Sequence, residues 1–241
     1  MRIYSFYNEN ARRETLEEHV ATALKLLDSA ENSKLVKYGK KLSPEFERAV
    51  KLAIIFHDTG KVFFQIKKGY GYMSFRGHEY FSTYIFDVFA RRLIKSEIEN
   101  YEALSELRKI CNFSIFFHHH AMNIRMREPE AGSNIKAGLK LLDVLYSEVK
   151  RFLEDKEKKA LKAALEEVKE KGTANLTGYV KGEIVREVWR NAMDSSKLKR
   201  LCYLNLLVLI AADYSSAALN RGGNKTPFGR VVEEFSEFYL K

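Results

Sequence analysis

Six histidines stand among the 241 residues: His19, His57, His78, His118, His119 and His120. Three are consecutive, and His57 is followed at once by Asp58. Imidazole nitrogen and carboxylate oxygen together suit transition metals such as Mn, Fe, Co, Ni and Zn. A carboxylate bridges two metals more readily than an imidazole does, and two metals about 4 Å apart can clamp a phosphate and activate water between them. Adjacent side chains on a helix point about 100° apart, so His57 and Asp58 can meet one centre only where a helix end and its neighbours converge. Asp213 is the remote acid. It directly follows the apolar stretch Leu201 to Ala212, where a carboxylate is costly unless paired or metal-bound. Small residues around it, from Ala211 to Ala218, let another helix or a metal site approach closely. Each histidine alone has a plain reading: His19 on a helix face, His78 capping a helix after Gly77, the triplet in an exposed turn. Their clustering with Asp58 favours the metal reading.

The elements that must position these groups read as helices. Only three prolines occur, at Pro44, Pro129 and Pro227, which favours long helices over short strands. The first helix runs about Thr15 to Glu31, with Leu16, Val20, Leu24 and Leu27 at helical spacing beside His19. A second begins at Ser43-Pro44 and carries Phe46, Val50 and Ile54 to the His57-Asp58 end, with Gly60 as its stop. A glycine-rich aromatic loop, Lys67 to Gly77, precedes a helix from His78 to about Ile98. The next spans roughly Glu102 to His118 and leads into the histidine triplet; Met122 to Ser133 is a loop, and helices resume over Asn134 to Lys150. Glu154 to Lys171 reads as an exposed helix with i,i+4 ion pairs, followed by a loop over Gly172 to Gly178. The helix of Asp213 runs about Ser196 to Asn220, and a short amphipathic helix closes the chain. No strand alternation stands out. The expected architecture is a compact all-α domain spanning 1–241, with an auxiliary helical region around Glu154 to Gly178.

Composition bounds the partners. Lys+Arg exceed Asp+Glu by 41 − 32 = 9, and the pI is near 9.3, which favours a polyanion such as nucleic acid over a neutral ligand. A solubilising lysine-rich surface is the plain alternative. Cys111 and Cys202 lie in apolar contexts without a CxxC pair, so reduced core cysteines in a cytoplasmic protein are expected rather than a disulfide framework or a cysteine zinc site. The sequence begins without a signal-peptide pattern, and its longest apolar run, Leu204 to Ala212, is short for a bilayer span, so no membrane role is expected.

The order His19, His57-Asp58, Asp213 resembles the H…HD…D signature of the HD phosphohydrolase superfamily, and His57-Asp58-Thr59-Gly60-Lys61 resembles its HDxGK form. Three further elements are similar to those of the CRISPR-associated HD nucleases. These are Gly77-His78-Glu79-Tyr80-Phe81-Ser82, similar to H-E-x-x-S, His119-His120-Ala121, similar to an HH pair before a small residue, and Ala212-Asp213-Tyr214-Ser215-Ser216-Ala217, similar to A-D-x-x-S-A. The likeness covers about residues 19 to 217. No GxxxxGK[ST] phosphate loop of a helicase is present, so the chain resembles the stand-alone form of type I systems.

The resemblance implies an HD-type helical fold and two divalent metal ions drawn from Mn, Ni, Co, Fe or Mg. One would be held by His19, His57, Asp58 and Asp213. The other would be held by His78, His119 and His120, with Asp58 bridging. A third adjacent histidine departs from the family pair. Ala121 sets the pair at His119 and His120, and His118 with His119 is the alternative register. Asp58 and Lys61 are the implied catalytic groups, with Lys61 contacting the scissile phosphate. Ser82 and Arg76 are further candidates for contact with substrate. The implied reaction is metal-dependent hydrolysis of single-stranded nucleic acid, DNA favoured and RNA possible, in CRISPR interference. A separately encoded helicase and the surveillance complex are the implied partners. From the residues themselves, Lys67, Lys68, Tyr70, Tyr72, Phe75 and Arg76 could track phosphates and stack on unpaired bases, with Arg125, Arg127 and Arg221 in other loops adding charge. The alternative is an HD phosphohydrolase of mononucleotides or signalling nucleotides, which would share His19, His57, Asp58 and Asp213.

Overall fold

The computed structural model describes residues 2–66, 71–119, 135–222 and 226–240, with the backbone alone for 173–182. The structure is mostly helical (79%), as expected, and adds one small hairpin that the sequence reading did not contain. Strands β1 (Tyr4–Tyr7) and β2 (Arg13–Thr15) pair antiparallel, with Tyr4 opposite Thr15 and an irregularity between Tyr4 and Phe6. Helices follow: α1 (Leu16–Ala30), α2 (Lys34–Leu42), α3 (Phe46–Phe56), α4 (His78–Ser96), α5 (Tyr101–Phe117), α6 (Ile135–Leu139), α7 (Leu142–Val149), α8 (Asp155–Ala192), α9 (Ser196–Arg221) and α10 (Pro227–Tyr239). A 3₁₀ turn, Thr59–Phe64, leaves α3.

Thr15 ends β2 and caps α1. Its hydroxyl accepts the Glu18 N–H while the Glu18 carboxylate accepts the Thr15 N–H, a reciprocal arrangement that fixes where the helix starts. The start sets the phase of the helix. Leu16, His19, Val20, Ala23, Leu27 and Ala30 then form its buried stripe, so His19 faces inward among apolar residues. Helix α9 packs against α1, α3 and α5, and α4 packs against α5 and α8. One continuous apolar cluster runs through these helices and includes both cysteines, which are free and buried. By length and composition α9 could cross a membrane, but 56% of its most apolar window is buried in the protein, as in a core helix.

Several expectations are corrected. Glu154 to Lys171 is not an exposed helix: Ala160, Leu161, Ala164, Leu165 and Val168 are buried, and α8 packs along α4. Charged residues on the outer side, among them the pairs Lys158–Asp155 and Lys171–Glu167, mask this narrow apolar stripe in the sequence. Gly172 does break the helix (φ 59°, ψ −156°), but helical structure resumes at once and continues to Ala192 in place of the expected loop to Gly178. Ser43-Pro44 does not start α3. Ser43 closes α2, a helix the sequence reading lacked, and α3 begins at Phe46.

Gly60 is not a helix stop either, since α3 ends at Phe56 with His57 as its cap. Its need for glycine is spatial. A Cβ there would sit 2.5 Å from Ser82 N and closer still to His78 O, so the turn after Asp58 lies directly against the first turn of α4. The Gly60 N–H donates to Ser82 Oγ at 2.8 Å and pins that contact. Gly60→Ala is therefore expected to destabilise the protein by about 3 kcal/mol through overpacking against backbone that cannot yield, read by urea denaturation. A change within about 0.5 kcal/mol would mean that the two segments separate freely.

Candidate metal centre

The helix ends deliver the imidazoles. His57 caps α3, His78 opens α4, and His118 caps α5. In each, Nδ1–H donates to a backbone carbonyl three residues earlier: Ile54 O, Phe75 O and Ile115 O, all at 2.7 Å. The last carbonyls of a helix lack intrahelical partners, so α3 and α5 have acceptors to spare at these places. A carbonyl only accepts, which puts the proton on Nδ1 and leaves the Nε2 lone pair free to face inward. That is the tautomer an Nε2 metal ligand needs.

His19 is oriented by another route. Its Nδ1 donates to the carboxylate of Glu14, 2.8 Å away on β2, and Ser216 Oγ on α9 donates to the His19 carbonyl at 2.9 Å. Glu14 is itself held by Asn220 at 2.6 Å and by Arg221 at 2.5 Å. Burial would raise the Glu14 pKa, but His19 and Arg221 bring it below the ordinary value.

Two groups of ligand atoms result. His19, His57 and Asp213 form one; His78, His118 and His119 form the other; within each, the ligand atoms lie within 4.8 Å of one another. In the first, His19 Nε2 is 3.1 Å from Asp213 Oδ1 and 3.3 Å from His57 Nε2. Asp58 lies between the groups. Its Oδ2 is 3.7 Å from His19 Nε2 and 3.6 Å from His57 Nε2, while its Oδ1 is 2.9 Å from His78 Nε2. The His78 approach lacks hydrogen-bond alignment, and among the described residues the buried Nε2 atoms of His78 and His118 have no hydrogen-bond partner. A buried acceptor without a partner is costly, and a cation would satisfy both. The donor set therefore fits two divalent ions, with nitrogen-rich ligation suited to Mn, Fe, Co, Ni or Zn.

Electrostatics favour the ligating forms of the acids. Burial would raise the Asp58 pKa, but Lys61, His57 and His78 hold it well below the ordinary carboxylate value. Asp213 is likewise held low against burial by His19 and His57. Burial and its histidine neighbours keep His118 neutral. Burial would lower His19 too, but Asp213, Glu14 and Asp58 together push it up to about 9.

The other candidates are placed as follows. Lys61 is buried, with Nζ 2.6 Å from Asp58 Oδ2, 3.1 Å from Ser5 Oγ and 5.3 Å from the centre of the Phe75 ring. Ser5 Oγ donates to the same Asp58 oxygen at 2.6 Å. Ser82 is fully buried, and its hydroxyl accepts the Gly60 N–H. Arg76 is exposed. Phe75 packs on the core rather than presenting a free ring, while Tyr72 is 40% exposed. Arg221 is the last residue of α9, not a loop residue, and its charge is engaged by Glu14. His118, the alternative register, is the histidine that joins His78 and His119; His120, Lys67, Lys68, Tyr70, Arg125 and Arg127 lie outside the described residues. The sequence reading missed Ser5 and Glu14 because both come from the hairpin. No local signal marks either residue, since both are ordinary surface types until the strands turn them inward.

Comparison with family models, with curated proteins and with solved structures finds no match to this chain.

Two outcomes are expected. Metal-stripped protein titrated with Mn²⁺ should take up two ions per chain, and His118→Ala should reduce this to one, measured by calorimetry and elemental analysis; unchanged uptake would remove His118 from the ligand set. A histidine with a raised folded-state pKa stabilises fully below its unfolded pKa and loses that contribution as pH rises through the folded one. For His19 the window is about 6.5 to 9. Metal-stripped protein should thus lose on the order of 3 kcal/mol across it, and His19→Gln should flatten that slope in denaturation series.

Proposed function

We propose that the chain is a metal-dependent phosphodiesterase of the HD type that cleaves single-stranded nucleic acid, DNA in preference to RNA. The observation that carries this reading is the position of Asp58, whose two carboxylate oxygens face two separate histidine groups. A mononuclear centre needs only one of those groups. The second, His78, His118 and His119, supplies nitrogen donors for another ion at the far oxygen.

Bound there, the ions would supply Lewis acidity toward a phosphate oxygen and a water of lowered pKa. His19, His57 and Asp213 would hold one ion, His78, His118 and His119 the other, and Asp58 both. The chain's own groups account for the rest. Lys61 places its Nζ beside the Asp58 carboxylate, where it would offset negative charge gathering on a phosphoryl oxygen. Ser5 and Lys61 fix the rotamer of Asp58. Glu14 orients His19 and keeps its Nδ1 protonated. Burial of His19, His57 and Asp58 leaves Asp213 (19% exposed) and His119 on the solvent side of the cluster, so substrate would approach from the α9 and α5 side. The net charge of +9 supports a polyanionic substrate. This reading also takes from the resemblance a separately encoded helicase and a surveillance complex as partners.

The test is cleavage of end-labelled single-stranded DNA by metal-stripped protein with Mn²⁺, Mg²⁺, Ni²⁺ or Co²⁺ restored separately, alongside Asp58→Ala. Restored cleavage that falls at least 10³-fold in the variant is expected. Hydrolysis of free nucleotides with every oligonucleotide left intact would instead establish the nucleotide hydrolase reading.

A further inference from the structure

An aromatic patch that the proposed chemistry does not use packs on α5, the helix that leads into His118. Trp189 on α8 is 48% exposed, and Tyr203 on α9 is 41% exposed. Both flank Phe113 of α5. The Trp189 ring lies near parallel to it at 6.4 Å, and the Tyr203 ring meets it edge-on at 5.3 Å. Trp189 also touches Phe117 at 5.7 Å, and the next residue is His118. Met193 and Leu207, 38% and 40% exposed, extend the patch by one turn on each helix. Such surface is costly to leave in water and marks a binding face.

The surrounding charge identifies the occupant. Arg186 precedes Trp189 by three residues and Arg190 follows it; Lys199 and Arg200 precede Tyr203 by four and three. Residues three and four apart share a helix face, so Arg186 lies on the Trp189 face of α8 and Lys199 and Arg200 on the Tyr203 face of α9, with Arg190 about 100° around from Trp189. All four are exposed, and none has an ion-pair partner among the described residues. Nearby acids are largely engaged: Glu187 by Arg108 and Asp194 by Lys109, with Glu183 one turn further back. A purely apolar partner would leave these cations stranded at its rim, and a duplex would offer no free base faces to the rings. Single-stranded nucleic acid matches both features, because bases stack on aromatic rings while cations track the phosphates.

We infer that the α8–α9 face centred on Trp189 and Tyr203 is a stacking platform that binds unpaired bases and directs the strand toward His118 and His119. The inference rests on the nuclease reading for its substrate class and adds where that substrate is gripped.

Trp189 is the chain's one tryptophan, so its fluorescence reports this face directly. Full-length metal-stripped protein, which leaves the strand intact, is titrated with oligo(dT), with an abasic strand of equal length and with polyglutamate. Oligo(dT) is expected to quench Trp189 saturably, the abasic strand to bind without quenching, and polyglutamate to do neither at matched concentration. Tyr203→Ala should weaken oligo(dT) binding about tenfold. Arg200→Gln should reduce the slope of log affinity against log salt by about 0.7. Binding of a labelled strand with Trp189 unperturbed, or unchanged affinity in Tyr203→Ala, overturns the platform. Equal quenching by polyglutamate overturns it in favour of an acidic protein partner. Cleavage by the metal-restored protein separates the two levels: cutting with Trp189 silent refutes the platform alone, whereas no cutting with free nucleotides hydrolysed refutes the nuclease reading and the platform with it.

Discussion

A carboxylate buried between imidazoles is the constraint on which this structure turns. Asp58 is 1% exposed, and an isolated ion at such depth would cost several kcal/mol. The fold surrounds it with an ammonium from Lys61, a hydroxyl from Ser5, and the ring nitrogens of His19, His57 and His78. These come from five places in the chain: β1, α1, the end of α3, the turn after it, and the start of α4. Each element is fixed where Asp58 requires its contribution, and the apolar cluster behind them supplies the rigidity.

The imidazoles are set by backbone more than by other side chains. His57, His78 and His118 each spend Nδ1 on a carbonyl three residues back, two of them at the ends of helices where such carbonyls are otherwise unpaired. One local feature thus satisfies the helix terminus and aims the ring. His19 is the exception. It lies within α1, where carbonyls are taken by the helix, and so depends on Glu14 from β2. That dependence explains why the hairpin is part of the centre rather than an appendage.

Much of the site was legible in the residues, and the limits of that legibility are physical. Histidine is scarce, and an acid after a largely apolar stretch is conspicuous, so His19, His57, Asp58, His78 and Asp213 stood out. Glutamate and serine are ordinary surface types, and nothing local distinguishes Glu14 or Ser5 until the strand places them inward. The register of the histidine triplet depends on where α5 ends. That is decided by the bond from His118 to Ile115 O, which composition does not encode. Helical content was readable from spacing and proline scarcity. The burial of α8 was not, because its Leu and Ala stripe is narrow and flanked by paired charges. Gly60 was noticed for the wrong reason: its role is close approach of two backbones rather than a change of helix direction.

The grip of Asn220 and Arg221 on Glu14 joins positions about 206 residues apart in sequence. During synthesis, α1 would emerge with its partner Glu14 not yet held by Asn220 and Arg221, and Asp213 would still be unmade. The centre therefore closes only after α9 has been translated and has docked on the hairpin. A ribosome that stalls in α8 releases a chain with His57, Asp58, His78, His118 and His119 in hand but no second acid and no anchor for Glu14. Placing Asp213 and the groups that hold Glu14 on α9 makes assembly of the centre depend on synthesis and docking of that helix.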